Sequence, residues 1–233
     1  MKNRLPPWEE LRVQILWNQL GYIAGKRILD FGSGIGISAN HYAKDNEVVA
    51  VEPDEESIRS RLQDVTYCQI CGSTEVLKGL EDASFDWIFC HNVLEYAKDR
   101  REILREFHRL LKPEGTLSIL KHNRPGRVMQ MMVLLDDFDR ANALLDGGNG
   151  HSTEYGDIRY YADEAVLDWC DGFALESVRG LCTFWRLQQK QEKHSDPAWQ
   201  EKMVALDLRV STLEPYRSVA FFHHLILKKK SKP

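Results

Sequence analysis

Asp30-Phe31-Gly32-Ser33-Gly34-Ile35-Gly36 sets an acid two residues before the first of three glycines at alternate positions. Glycine lets the backbone turn sharply and lets a ligand approach the main chain where a Cβ would collide. Glu52 follows Asp30 by 22 residues, a separation at which an acidic side chain can accept both hydroxyls of a ribose. Together the two features imply a small nucleotide-like cofactor, and two candidates compete. Gly34-x-Gly36-x-x-Ala39 fits the dinucleotide fingerprint and hence an NAD enzyme. Asp30 before the first glycine favours instead a cofactor with a cationic amino-acid end, such as S-adenosylmethionine, over an anionic pyrophosphate.

These residues need elements to hold them. Trp8 to Leu20, after Pro6-Pro7, carries Trp8, Leu11, Ile15 and Leu16 at helical spacing, with Glu9 and Glu10 in the first turn and Gly21 past the end; an amphipathic N-terminal helix is expected. Arg27–Phe31 and Val48–Val51 are short apolar runs that lead into the glycine turn and Glu52, and each is followed by a helical stretch. Further strands are expected at Val65–Ile70, Phe85–Cys90, Thr116–Leu120, Val178–Trp185 and Ala220–Leu227. Helices are expected at Arg101–Leu111, Val128–Leu145 and Asp163–Cys170, with a long polar helical insert before the last strand. Such alternation predicts an α/β chain with a parallel sheet.

The ordered pieces Ile28–Gly36, Val51-Glu52-Pro53-Asp54, Ser84–Phe89, Val93-Leu94-Glu95 and Leu110–Leu117 resemble the motifs of class I S-adenosylmethionine-dependent methyltransferases. That resemblance implies a Rossmann-like, doubly wound, seven-stranded sheet, mostly parallel with an antiparallel last strand. It also implies one methyltransferase domain over residues 1–233, with the helix at 8–20 and substrate-side insertions at about 124–162 and 186–216.

Leu11-Arg12-x-x-Ile15-Leu16-Trp17, His91-x-Val93-Leu94-Glu95, Leu117-Ser118 with Asn123, Gly126, Met129 and Glu214-Pro215-Tyr216 extend a narrower resemblance over nearly the whole chain. It is to the bacterial tRNA 5-carboxymethoxyuridine carboxyl methyltransferases, the SmtA/CmoM family. The resemblance implies cofactor contacts at Arg12, Gly32, Ser33, Glu52, Ser73, Thr74 and His91, beside Asp30 and Gly34 of the glycine turn. Arg12 would hold the methionyl carboxylate by a charge-assisted pair, and Ser73 with Thr74 would serve the adenine edge. The chain departs from that family where a lysine-rich stretch is replaced by Asp146–Tyr161, whose one base is Arg159. Cys182 and Val210 likewise replace an expected arginine and an expected aromatic.

Methyl transfer from a sulfonium is an in-line displacement, served mainly by alignment and exclusion of water. A carboxylate acceptor needs no general base but does need cations to orient it. Arg124, Arg127 and Arg209 are candidates for that, and Tyr216 for stacking on a base. His91 would be catalytic only for a neutral hydroxyl or amine acceptor. Cys68-x-x-Cys71 is a single pair without the further ligands a structural zinc needs, so no metal is expected. The expected activity is methylation of the carboxylate of a carboxymethoxy-modified wobble uridine in tRNA. A small-molecule carboxylic acid or other metabolite is the alternative acceptor, and a catalytically silent S-adenosylmethionine-binding interaction module is the alternative of another class.

The 233 residues carry 31 Lys+Arg against 35 Asp+Glu, which gives no bulk attraction to nucleic acid. The charge is uneven, however. Arg100 to Arg127 holds eight bases and three acids, so a restricted, salt-sensitive RNA contact is compatible with the acidic total. No apolar run approaches the length of a membrane span. Met1 to Gln19 alternates charged and apolar residues, unlike a signal peptide, and the five cysteines form an odd, scattered set. A cytoplasmic protein is expected.

Overall fold

The computed structural model describes residues 5–153 and 155–230; residues 228–233 read in the sequence as a solvated tail, but Lys228 and Lys229 end the last strand, and 231–233 lie outside the described residues. Strands β1 (Arg27–Phe31), β2 (Glu47–Glu52), β3 (Cys68–Cys71), β4 (Phe85–His91) and β5 (Leu111–His122) are followed by a short hairpin, β6 (Gly150–Ser152) and β7 (Gly156–Ile158). Strands β8 (Phe173–Leu181) and β9 (Phe222–Lys229) complete a seven-stranded sheet of order β3-β2-β1-β4-β5-β9-β8. The β1–β2, β1–β4, β2–β3 and β4–β5 pairings are parallel. Strand β9 runs against β5: Asn123 N–H donates to Phe221 O at one end, and Lys228 Nζ reaches Thr116 Oγ1 (2.7 Å) at the other. This is the expected Rossmann-like sheet with its antiparallel last strand.

The chain divides into two compact units. The first comprises Ile23–Leu120, Ala162–Ser177 and the described residues from Leu225 onward. Its central strands are buried on both faces, which is why Val48–Val51 and Ile88–Cys90 read as continuous apolar runs. Helix α1 spans Pro7–Leu20, α2 Ile37–Tyr42, α3 Glu55–Arg59, α4 Thr74–Leu77 and α5 Arg100–Leu110. In the first unit, Asp54 caps α3 by accepting from Ser57 N–H, and Asp99 caps α5 by accepting from Glu102 N–H. Helix α5 buries Ile103, Leu104, Phe107 and Leu110, and Phe107 meets Phe31 edge-on at 5.4 Å. Truncating Phe107 to alanine would cost about 3–5 kcal/mol and loosen the strand that ends in the glycine turn.

The second unit comprises the described residues up to Tyr22, Lys121–Tyr161 and Val178–His224. Helix α1 buries Leu11, Val13, Ile15, Leu16 and Gln19, so its buried face is wider than the expected stripe, whereas Trp8 is exposed. The helix expected over Val128–Leu145 is two, α6 (Arg124–Val133) and α7 (Phe138–Leu145). Asp136 takes a left-handed φ of 53° and Asp137 caps α7 by accepting from Arg140 N–H, which ends one helix and starts the next. After α8 (Ala165–Trp169) in the first unit, α9 (Pro197–Val210) is the main helix of the polar insert.

Other boundaries moved for local reasons. Strand β3 begins at Cys68 because Val65 N–H is taken by Asn40 Oδ1 and Tyr67 Oη by Leu62 O. Cys68 and Cys71, at the two ends of this strand, are exposed, although small buried thiols are ordinary at the end of a strand. Strand β8 stops at Leu181 because Cys182 has a φ of 63° and the next backbone amides turn to Asp207. Trp185, expected in that strand, instead packs in a 3-10 turn with 1% exposure, as a core residue.

Candidate active site

In the first unit the parallel register places Asp30, Glu52, Cys71 and His91 at the C-terminal ends of their strands, where open α/β sheets bind ligands. Gly32 and Ser33 N–H groups donate to Val51 O (2.8 and 3.1 Å), so the turn folds over the end of β2. Glu52 binds the same turn, accepting Gly34 N–H on Oε2 (2.8 Å) and Asp54 N–H on Oε1 (2.9 Å). A Cβ on Gly32 would lie 2.3 Å from Val93 Cγ2, whereas one on Gly34 would meet nothing within 4 Å. Gly32 is thus fixed by packing, and Gly34, with a φ of 52°, presents open backbone on which a ligand can lie.

Asp30 is 3% exposed and its Oδ2 is buried without a hydrogen-bond partner. Burial, reinforced by the nearby Glu52 charge and opposed by a hydrogen bond from the Ala39 backbone, pushes its carboxyl up to about 7. Ser33 Oγ is likewise buried and unpartnered. An unsatisfied acid beside open glycine backbone fits a cationic, hydrogen-bonding ligand and disfavours a pyrophosphate.

Ser73 precedes α4, its N–H donating to Glu75 Oε1 (2.7 Å), and Gly72 N–H donates to Glu52 O (3.0 Å). Ser73 and half-buried Thr74 are thus tied to the end of β2. His91 Nε2 lies 2.9 Å from Ser118 Oγ, and its ring stacks on Phe89 at 5.4 Å. Asp30, Gly32, Ser33, Gly34, Glu52, Ser73, Thr74 and His91 therefore all belong to one unit and to one end of its sheet. At the other end of the strands, a 540 Å³ cavity is lined by residues that include Arg27, Glu47, Asp86 and Lys112. Four of its charges form two ion pairs, Lys112 with Asp86 at 2.8 Å and Arg27 with Glu47 at 2.9 Å.

The second unit holds the cationic candidates. Arg12 pairs with Glu9, and both side chains are 13% exposed. Burial opposes the Arg12 charge, but Glu9 outweighs it and holds the guanidinium above its ordinary pKa. Arg124 lies over Tyr160 (5.2 Å), donates to Gly147 O (3.1 Å) and keeps a buried, unpartnered Nε. Arg127 lies over Phe221 (5.3 Å) and donates to Gln130 Oε1 (2.7 Å). Arg209 is exposed on the last turn of α9, and Tyr216 is exposed with its ring edge-on to Phe184 at 5.9 Å. Among the described residues neither hydrogen-bonds to nor stacks on Arg124 or Arg127.

Sequence reasoning missed Arg186. Its guanidinium lies over Trp185, Phe221, Trp8 and Phe222 at 4.6, 4.9, 5.3 and 5.8 Å. No spacing rule could select it, because its surroundings come from residues 8, 185, 221 and 222. Among the described residues no group of three or more metal-ligating side chains occurs, and no helix is long and apolar enough to cross a membrane.

The sequence profile of the family described as "Methyltransferase domain" matches residues 29–119. The chain is 26% identical to the tRNA 5-carboxymethoxyuridine methyltransferase of Escherichia coli K12, over 94% of this chain and 88% of that one. It is 30% identical to the ubiquinone biosynthesis O-methyltransferase of Xanthomonas euvesicatoria, over 68% of this chain and 67% of that one. A solved S-adenosylmethionine-dependent methyltransferase from Mesorhizobium loti shares the fold at TM-score 0.56 and 15% identity, covering 95% and 97% of the two chains. The buried acid, the open glycine turn and these matches decide against the NAD reading. The chain belongs to the class I methyltransferases and its cofactor is S-adenosylmethionine.

Proposed function

We propose that the protein methylates the carboxylate of a carboxymethoxy-modified wobble uridine in tRNA, forming the methyl ester. The observation that carries this reading is the likeness to the Escherichia coli tRNA methyltransferase, which extends over 94% of the chain and so includes both units. The cations of the second unit support it, since Arg124 and Arg127 each lie on an aromatic ring and keep donors for an anionic acceptor. On this reading both units are parts of one methyltransferase domain.

Glu52 is assigned to the ribose hydroxyls, Ser73 and Thr74 to the adenine edge, and Asp30, with Ser33 and the Gly32 and Gly34 backbone, to the cationic end of the cofactor. Arg12 is assigned to the methionyl carboxylate. When bound, S-adenosylmethionine supplies a methyl group on a positively charged sulfur. The acceptor carboxylate attacks without losing a proton, so this chain's residues orient and desolvate it and do not deprotonate it. Bonded to Ser118 and stacked on Phe89, His91 is a wall of the site. Arg124 and Arg127 orient the acceptor, with Arg209 and Tyr216 offered to the RNA from the surface. Profiling tRNA nucleosides from a deletion strain by mass spectrometry tests the acceptor: the methyl ester should vanish and its free acid accumulate, and an unchanged profile would refute the assignment.

A second reading, a small-molecule acceptor, is favoured by the 30% identity to the ubiquinone biosynthesis O-methyltransferase. A hydroxyl acceptor would require a base, and His91 is the candidate for it.

A further inference from the structure

Helix α1 carries Trp8 and Arg12 one turn apart on the same face. Trp8, with Trp185, Phe221 and Phe222, encloses the Arg186 guanidinium. Aromatic rings satisfy the faces of a guanidinium and leave its in-plane N–H donors unused. Arg186 Nε is in fact buried without a partner, and no carboxylate pairs with Arg186 among the described residues. Glu9, the acid nearby, is already engaged by Arg12. Arg127 shares the Phe221 ring with Arg186, and its hydrogen bond goes to a neutral amide. Burial is the largest cause disfavouring the Arg186 charge, and Arg12 and Arg127 add to it, while Glu9 and Cys182, whose own thiol burial holds well above its ordinary pKa, act the other way. A half-buried excess of positive charge with free planar donors is what a carboxylate from outside the chain would complete.

We infer that Arg186 and Arg127 form a carboxylate-binding site that selects the acceptor, Arg186 offering its in-plane donors and the aromatic cage fixing their direction. The inference rests on the proposed function insofar as the acceptor bears a carboxylate. Arg186 is then a specificity-determining residue for the charged group of the modified base, and the rings hold it rigid, so little side-chain entropy is lost on binding.

The test is binding of anticodon stem-loop RNA that carries either 5-carboxymethoxyuridine or the neutral 5-methoxyuridine at the wobble position. It compares wild type, Arg186→Gln, Arg186→Lys and Arg127→Gln, with thermal melting as a check of folding. The wild type should prefer the carboxymethoxy RNA. Arg186→Gln should lose roughly ten- to a hundredfold of that preference and bind the methoxy RNA as the wild type does, while Arg186→Lys restores part of it. Folded variants at both arginines that keep the full preference would overturn the site. If Arg186→Gln does not fold, Arg127→Gln and Arg186→Lys decide in the same way.

If the wild type itself shows no preference, the tRNA reading fails, and thermal shifts with acetate and with inorganic phosphate judge the site separately. Stabilisation of the wild type by acetate, absent from the folded arginine variants, would uphold it. No stabilisation by acetate, or stabilisation by phosphate alone, would overturn it.

Discussion

Glu52 accepts the Gly34 N–H at 2.8 Å while its other oxygen holds Asp54 N–H. The acid at the end of β2 thus shapes the glycine turn and begins α3 in the same conformation, and its remaining lone pairs stay available to a ribose. Glu52→Gln keeps one acceptor oxygen for the backbone and should fold, but it offers the ribose hydroxyls a single neutral acceptor. Its S-adenosylmethionine Kd should rise about ten- to a hundredfold by calorimetry. An unchanged Kd would remove Glu52 from the cofactor site.

Asp30 gives a pH signature of its own. Its folded pKa, about 7, lies above the ordinary carboxylate value. The stability it contributes is therefore complete below the unfolded pKa and is lost as pH rises through about 7, on the order of 4 kcal/mol across that window. A cationic ligand favours the ionised acid, so S-adenosylmethionine binding should release protons and strengthen as pH rises from 6 to 8. Asp30→Asn should flatten both trends. Calorimetry in buffers of different ionisation enthalpy counts the protons, and no proton release near pH 7 would contradict the assignment.

Asp207 pins the turn that follows β8. The buried carboxylate accepts Cys182 N–H (3.0 Å) and Thr183 N–H (2.9 Å). Burial raises its pKa to about 6 against the pull of these amides. The sign is that of Asp30: stability is full below the unfolded carboxylate pKa and declines as pH rises through about 6. Asp207→Ala would strand two buried donors and should cost roughly 3–5 kcal/mol in chemical denaturation. Asp207→Asn, which keeps an acceptor oxygen, should lose much less, and equal losses in the two variants would show that the hydrogen bonds contribute little.

His91→Asn separates the two acceptor classes. A carboxylate acceptor needs no base, so turnover should fall by less than about tenfold, with no histidine limb in the pH–rate profile. A loss of about a thousandfold would mark a proton-abstracting His91 and a hydroxyl acceptor instead.

What was legible in the sequence was what lies close together along it. Asp30 to Gly36 is one uninterrupted motif, and its partner Glu52 sits at the end of the adjacent strand, so their meeting at one end of the sheet could be read from the chain. The two-helix structure of Arg124–Leu145 was written in Asp136 and Asp137, which were submerged in the helical spacing on either side. The end of β8 depends on Asp207, 25 residues beyond Cys182, a distance at which no periodicity speaks. Arg186 is the extreme case, since its cage draws on both ends of the chain. Trp8, expected to face the core through the spacing of α1, is exposed and lies under that guanidinium.

Asn123 donates from its side-chain amide to Ser218 O and Ala220 O (2.9 and 2.8 Å), and a Cβ on Gly126 would lie 2.1 Å from the Ala220 carbonyl oxygen. The first turn of α6 is therefore bolted to residues 218–221. Arg124 and Arg127 project from a mount that does not itself swivel, so reach is set by side-chain length alone. A lysine at either position falls short of whatever the arginine touches, and the backbone has no slack with which to make up the difference.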